Sequence, residues 1–199
     1  MSVGPRGAAR ERVARAVSIV GHPAVTTTLA ALAVAASRRA ELGPPALILA
    51  SVVLTVLAFS WWQVKRAAWE HVDASRPKER RTFNLVLAMA LAVGALGAWG
   101  IGDPRLAAGL LSGASIVGAA AGLARWLKLS QHVGFATMAV LVTAEAVAAG
   151  VLLIGAPLIA LLAWSRLELR RHTRREVAAG VLAGAAAWAV WKALAPLAG

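Results

Sequence analysis

Between residues 165 and 176 the chain reads Ser165-Arg166, five residues, His172, three residues, Glu176. A helical backbone from His172 onward would put a carboxylate four residues later on the same face, where it holds one ring nitrogen and leaves the other free. That pairing of base and orienter is what an imidazole nucleophile requires. Arg166 adds a planar fork that matches a pair of phosphate oxygens. A second station, Lys128-Leu129-Ser130-Gln131-His132, sets a cation, a hydroxyl and an imidazole at alternate positions. It stands at an expected helix N-terminus, where free N–H groups and the macrodipole favour an anion. His132 would supply the acid. A third station, Asp73 to Arg81, carries Arg76 and Arg80. The chemistry these types suit is phosphoryl transfer, in which fixed cations stabilise charge spread over equatorial oxygens.

The elements that must position these residues are membrane helices. With 59% hydrophobic and 15% charged residues among 199, the chain is too apolar for a water-soluble domain of its size. A span needs roughly 20 apolar residues to cross a hydrocarbon core of about 30 Å. On that rule spans are expected near 23–37, 45–64, 83–101, 105–124, 133–150, 152–164 and 177–197. The expectation is one all-α membrane domain over 1–199, a polytopic bundle of six or seven transmembrane helices. Residues 1–22 form a basic N-terminal segment, and the first helix is expected to be retained rather than cleaved as a leader. The chain has no cysteine, which excludes disulfides, thiolate metal sites and cysteine nucleophiles.

Helix parity puts the N-terminus and 65–82, 125–132 and 165–176 on one face, leaving 38–44, 102–105 and 151 on the other. The 46 residues between Arg81 and Lys128, and the 32 between His132 and Ser165, each suffice for a helical hairpin returning to its starting face. The three stations therefore converge. The first face holds 17 of the 21 basic residues, Lys65 included. Two causes compete for that excess: the positive-inside rule and an anion site. Setting five candidate site residues aside still leaves at least eleven against four, which favours a cytoplasmic first face. Tryptophans 61, 62, 126 and 164 mark one interface, and 99, 188 and 191 the other.

Each feature also has a plainer reading. Arg170, Arg171, Arg174 and Arg175 read as a solvated membrane face. His172 with Glu176, taken alone, fits a surface helix pair, and His132 alone a helix cap. His22 and His71 read as interfacial residues, and Glu145 as a carboxyl held inside the bundle. A nucleic-acid surface is not expected, because no soluble domain presents the basic residues.

The three stations together resemble the motifs of the type 2 phosphatidic acid phosphatase superfamily, which shares its site with the vanadium haloperoxidases. The family's third motif is S-R, five residues, H, three residues, D; Ser165, Arg166 and His172 match it, with Glu176 in the place of Asp. Its second motif, P-S-G-H, corresponds to Leu129-Ser130-Gln131-His132. Its first, K, six residues, R-P, aligns on Arg80 with Asp73 and Arg81 at the lysine and proline. The resemblance covers roughly residues 65–185 and is closest to a divergent prokaryotic branch. It implies that His172 attacks phosphorus to form a phosphohistidine and that His132 protonates the leaving oxygen. Phosphate would be held by Arg166, Lys128, Ser130, Arg80, Arg76 and Ser165, with no metal and no cofactor. The implied substrate is a membrane lipid phosphate or diphosphate, polyisoprenyl-linked by the branch resemblance, in a prokaryotic inner membrane; a homo-oligomer stays open. Two other classes remain beside it: a non-catalytic scaffold or lipid-binding descendant, and a transporter, which Glu145 and the Gly/Ala-rich helices suggest.

Overall fold

The computed structural model describes residues 5–69 and 76–195, with side chains from Ala8 onward. Asp73 and His71 lie outside the described residues, as does the end of the span expected at 177–197. Among the described residues the chain forms eight α-helices and no strand. They are α1 (Pro5–Val20), α2 (Pro23–Ser37), α3 (Gly43–Lys65), α4 (Pro77–Gly100), α5 (Pro104–Leu123), α6 (Gln131–Ala146), α7 (Val151–Glu168) and α8 (Arg174–Leu194).

Local chemistry sets the starts. Proline occupies the first turn of α2, α3, α4 and α5, where its missing N–H costs nothing and its fixed φ suits a helix. Asp103 caps α5 by accepting from the Leu106 N–H at 3.1 Å. The ends are less orthodox. Helices α2, α3, α4 and α7 each close with a left-handed residue: Arg39 (φ 54°), Ala67 (φ 55°), Gly102 (φ 74°) and Arg170 (φ 51°). At each, the following residue's N–H reaches back five residues, as Arg171 N–H does to Arg166 O at 3.1 Å. These are Schellman turns, and glycine fills the left-handed position in one of the four.

Five helices, α3, α4, α5, α7 and α8, are long and apolar enough to cross a membrane, and α1 with α2, bent by 44° at their junction, makes up to six. The chain is a helical membrane protein. Helix α7 runs to Glu168, past the span expected at 152–164. Helix α6 stops at Ala146 rather than reaching residue 150, and its 16 residues rise about 24 Å, short of a hydrocarbon core. That early stop corrects the reading of Glu145. It sits in the last turn of α6, partly exposed, and pairs with Lys192 at 3.1 Å.

Helix α5 runs through the core, with Ile116 and Val117 fully buried among α4, α6 and α8. Leu47, Leu85, Leu96, Leu153 and Leu182 point outward and exposed, as a lipid-facing surface permits. Backbone approaches backbone closely between α6 and α8. A Cβ at Gly180 would lie 2.6 Å from Ser130 O, and one at Gly184 would strike Gly134 O. A second cluster of Val133, Ala136, Leu162 and Val177, with Val17 against it, ties α1, α6, α7 and α8 together beneath the polar end. Exposed Trp61, Trp62 and Trp126 flank that end, and exposed Trp99 flanks the other. Trp191 departs from the expected belt: it is 6% exposed, and its Nε1–H donates to Arg105 O at 3.4 Å.

Candidate active site

The stations meet at one end of the bundle. His172 lies in the turn between α7 and α8, not on a helix, because α8 begins at Arg174 with Thr173 as its N-cap. The left-handed Arg170 reverses the chain and His172 N–H reaches Arg166 O at 3.3 Å. The ring then folds over the loop between α5 and α6. There His172 Nδ1 lies 3.1 Å from Lys128 O and 3.4 Å from Glu176 Oε2. A carbonyl oxygen accepts only, so the pair with Lys128 requires the proton on Nδ1 and leaves the Nε2 lone pair available.

Glu176 reaches the ring by a route different from the helical spacing read in the sequence. It is the third residue of α8 and closes a capping box with Thr173: Thr173 N–H donates to Glu176 Oε2 at 2.8 Å, and Glu176 N–H donates to Thr173 Oγ1 at 3.4 Å. Its other oxygen accepts from Lys128 N–H at 3.3 Å. One carboxylate thus caps α8, orients His172 and holds the second station. The backbone adds Ser130 N–H to Glu176 O at 3.1 Å, and the Lys128 ammonium donates to Arg171 O at 3.2 Å.

The cations converge on the histidines. His172 is 7% exposed in its side chain. Burial, followed by the Arg166 and Lys128 charges, lowers its imidazole from the ordinary 6.5 to about 4, while Glu176 and the Lys128 carbonyl pull the other way. Burial and then Arg80 lower the Lys128 ammonium from its ordinary 10.5; Arg166 and Arg171 act in the same sense and Glu176 against it. His132 feels Arg166, His22 and His172 together. Arg80, Lys128, Arg166, His132 and His172 are therefore one electrostatic unit. Ser130 belongs beside them: it is the N-cap of α6, yet its Oγ makes no cap bond, is fully buried and has no hydrogen-bond partner among the described residues. A buried hydroxyl donor at a helix N-terminus suits an anionic oxygen.

Two of the expected residues bond within their own helices. Ser165 is fully buried and its Oγ donates to Leu162 O at 2.9 Å, within its own helix. Arg76 is exposed at the N-cap of α4, where its N–H donates to Glu79 Oε2 at 3.0 Å. In exchange the site draws on residues outside 65–185. Ser18 of α1, itself buried, accepts a hydrogen bond at its Oγ from Arg166 Nη1 at 2.6 Å. His22, at the break between α1 and α2, meets His132 edge-on with ring centroids 5.2 Å apart, while its Nδ1 accepts from Ala24 N–H at 3.2 Å. His22 is therefore a neighbour of the site and not merely an interfacial residue. Arg10 of α1 pairs with Glu168 of α7 at 3.0 Å. Gln131 Nε2 donates to Asn84 Oδ1 at 3.0 Å, joining the second station to α4.

Among the described residues no group of three histidines, aspartates or glutamates is placed to hold a metal ion. Comparison with protein-family models, with curated proteins and with solved structures finds no match to this chain.

Proposed function

We propose that this end of the bundle is the active site of a lipid phosphate phosphatase working through a phosphohistidine. The observation that carries the reading is the state of His172: Nδ1 is committed to Lys128 O and Glu176, the ring is neutral at physiological pH, and fixed cations stand around it. Arg166 and Lys128 bind the phosphate oxygens, with Arg80 adding charge and Ser130 Oγ a donor. The Nε2 lone pair attacks phosphorus, the P–O bond to the leaving group breaks, and His132 gives its proton to the departing oxygen. In the second step water attacks the phosphohistidine, His132 takes back a proton and His172 is regenerated. Burial and then the Arg166, His22 and His172 charges disfavour a protonated His132, and an incoming dianion offsets the charge part.

The apolar envelope keeps the lipid tail in the bilayer while the head group reaches the polar end. A polyisoprenyl phosphate or diphosphate fits this reading, as does a glycerolipid phosphate. The resemblance to the type 2 phosphatidic acid phosphatases supports the residue roles of His172, His132, Arg166 and Ser130. By the positive-inside rule the basic excess at the same end favours a cytoplasmic site, and the branch resemblance favours a prokaryotic cell membrane. A transporter loses its main support, since Glu145 pairs with Lys192 at the opposite end.

The test is phosphate release by the purified protein in detergent from short- and long-chain lipid phosphates. His172→Ala is expected to abolish turnover and the acid-labile phosphoenzyme seen on rapid quench. His132→Ala is expected to lower turnover by about 10²–10⁴-fold. Absence of release across a broad panel, or release that survives His172→Ala, overturns the proposal and leaves a non-catalytic lipid-binding protein.

A further inference from the structure

A cavity of about 100 Å³ lies within the bundle, between α2 and α3 on one side and α5, α6 and α8 on the other. Its α6 wall is formed by Phe135, Met138, Ala139 and Val142, a stripe at helical spacing that begins one turn beyond His132. Its α2 wall runs from Thr27 through Ala31 to Arg38, and α2 is the helix that His22 caps beside His132. Both walls thus start next to the candidate acid and lead away from it, over about 16 Å at 1.5 Å per residue. At the far end Arg38 and Asp103 form an ion pair at 3.7 Å, and both line the cavity there. Hydrocarbon does not extend favourably against such a pair.

We propose that this cavity receives the first stretch of the substrate's hydrocarbon tail and that it admits one slender chain, so that the protein selects single-chain lipid phosphates over two-chain ones. The inference rests on the phosphatase reading for the head group. Its own support is placement: an apolar slot whose α6 lining begins one turn beyond His132, inside helices whose surroundings are lipid. The volume sets the occupant, because a largely apolar cavity of this scale has no room for two chains side by side. The bilayer is as apolar as the slot, so burial alone gives the tail little preference between them. Selection arises from fit, with close contacts along one chain and a steric clash for the second. The charged far end makes the slot a ruler: gain with tail length stops where the chain meets Arg38 and Asp103.

Gly109 of α5 lines the cavity, and a Cβ there meets nothing nearer than Trp191 Cδ1 at 3.9 Å. Gly109→Leu therefore places a side chain in the slot without displacing backbone; Ala31→Leu does so from α2. Each variant is assayed on a short-chain and a long single-chain alkyl phosphate. The ratio of kcat/KM, long over short, is expected to fall about 10-fold or more, the scale of steric discrimination in an apolar pocket. An unchanged ratio in both variants overturns the inference even if turnover itself is altered. Should the natural chain hydrolyse neither substrate, the head-group reading fails and the slot is tested by fluorescence. Brominated single-chain alkyl phosphate is expected to quench the Trp191 emission, taken as the difference from Trp191→Phe, and Gly109→Leu to remove that quenching. Lack of Trp191 quenching, or equal quenching by a two-chain brominated phosphate, overturns the proposal.

Discussion

At His172 two pairs of opposing influences act on one ring: burial and the cations Arg166 and Lys128 hold the imidazole neutral, while Glu176 and the Lys128 carbonyl favour its protonated form. A nucleophile needs the neutral ring, so kcat/KM should fall as pH drops through about 4. The sign of each neighbour is testable. Lys128→Gln removes a charge that disfavours the imidazolium, so the acid limb moves to higher pH, towards the ordinary 6.5. Glu176→Gln removes a charge that favours it, so the limb moves to lower pH. Measured pH profiles that shift in the same direction for both variants would contradict this account of the ring. The sequence made part of this arrangement legible, because His172, Glu176, Arg166, Ser130 and His132 stand at short, fixed separations. Their detailed partners were less accessible. The Thr173-Arg-Arg-Glu176 capping box was readable as S/T-x-x-E and places Glu176 correctly. Ser18 and His22 gave no such signal, since they lie more than a hundred residues from Arg166 and His132 and meet them only through tertiary packing.

At the scale of elements, the site depends on how closely α6 and α8 approach, since one carries Ser130 and His132 and the other Glu176. Gly134, Gly180 and Gly184 permit it by letting backbone meet backbone. Any side chain at 184 strikes Gly134 O and must slide α8 away, carrying Glu176 off the Lys128 loop. Gly184→Val should therefore lower the thermal unfolding midpoint in detergent, as overpacking by about 1–3 kcal/mol does, and should also cost turnover. Gly122→Ala, in open space on α5, is the contrast: it should hold or raise the midpoint. A Gly184→Val protein with unchanged midpoint and turnover would show that the approach does not position the site. The apolar runs made the helices legible, and the prolines marked their starts. Three of the four left-handed helix ends lack glycine, so Arg39, Ala67 and Arg170 offered no stop signal in the sequence. The tight crossing was also hidden. The Gly/Ala run of α5 packs tightly at Gly113, where a Cβ would lie 3.0 Å from the Phe135 ring, whereas Gly118 and Gly122 meet nothing within 4 Å.

For the whole molecule, the decisive property is the difference between its two ends. One end holds His22, His132, His172, Arg80, Lys128 and Arg166; the other closes with pairs, Arg38 with Asp103 and Lys192 with Glu145. Cations gathered for chemistry account for only part of that difference, because Arg66, Arg125, Lys65 and the exposed Arg81 lie at the same end without acting on His172 or His132. Three of these stack on tryptophan: Arg66 on Trp62 at 4.1 Å, Arg125 on Trp126 at 3.7 Å and Lys65 on Trp61 at 5.1 Å. A cation on an interfacial ring suits an anionic lipid surface. On the proposed orientation this end faces the cytoplasmic leaflet, and the pattern would appear there with or without an active site. The absence of cysteine from the chain makes orientation directly measurable. Lys78→Cys, exposed at the start of α4, should resist an impermeant thiol reagent in intact cells and react after permeabilisation. Glu41→Cys, exposed in the opposite loop, should react promptly in intact cells. Prompt labelling at 78 with protection at 41 would put the histidines on the outer face, and the surplus cations would then need a cause other than the positive-inside rule.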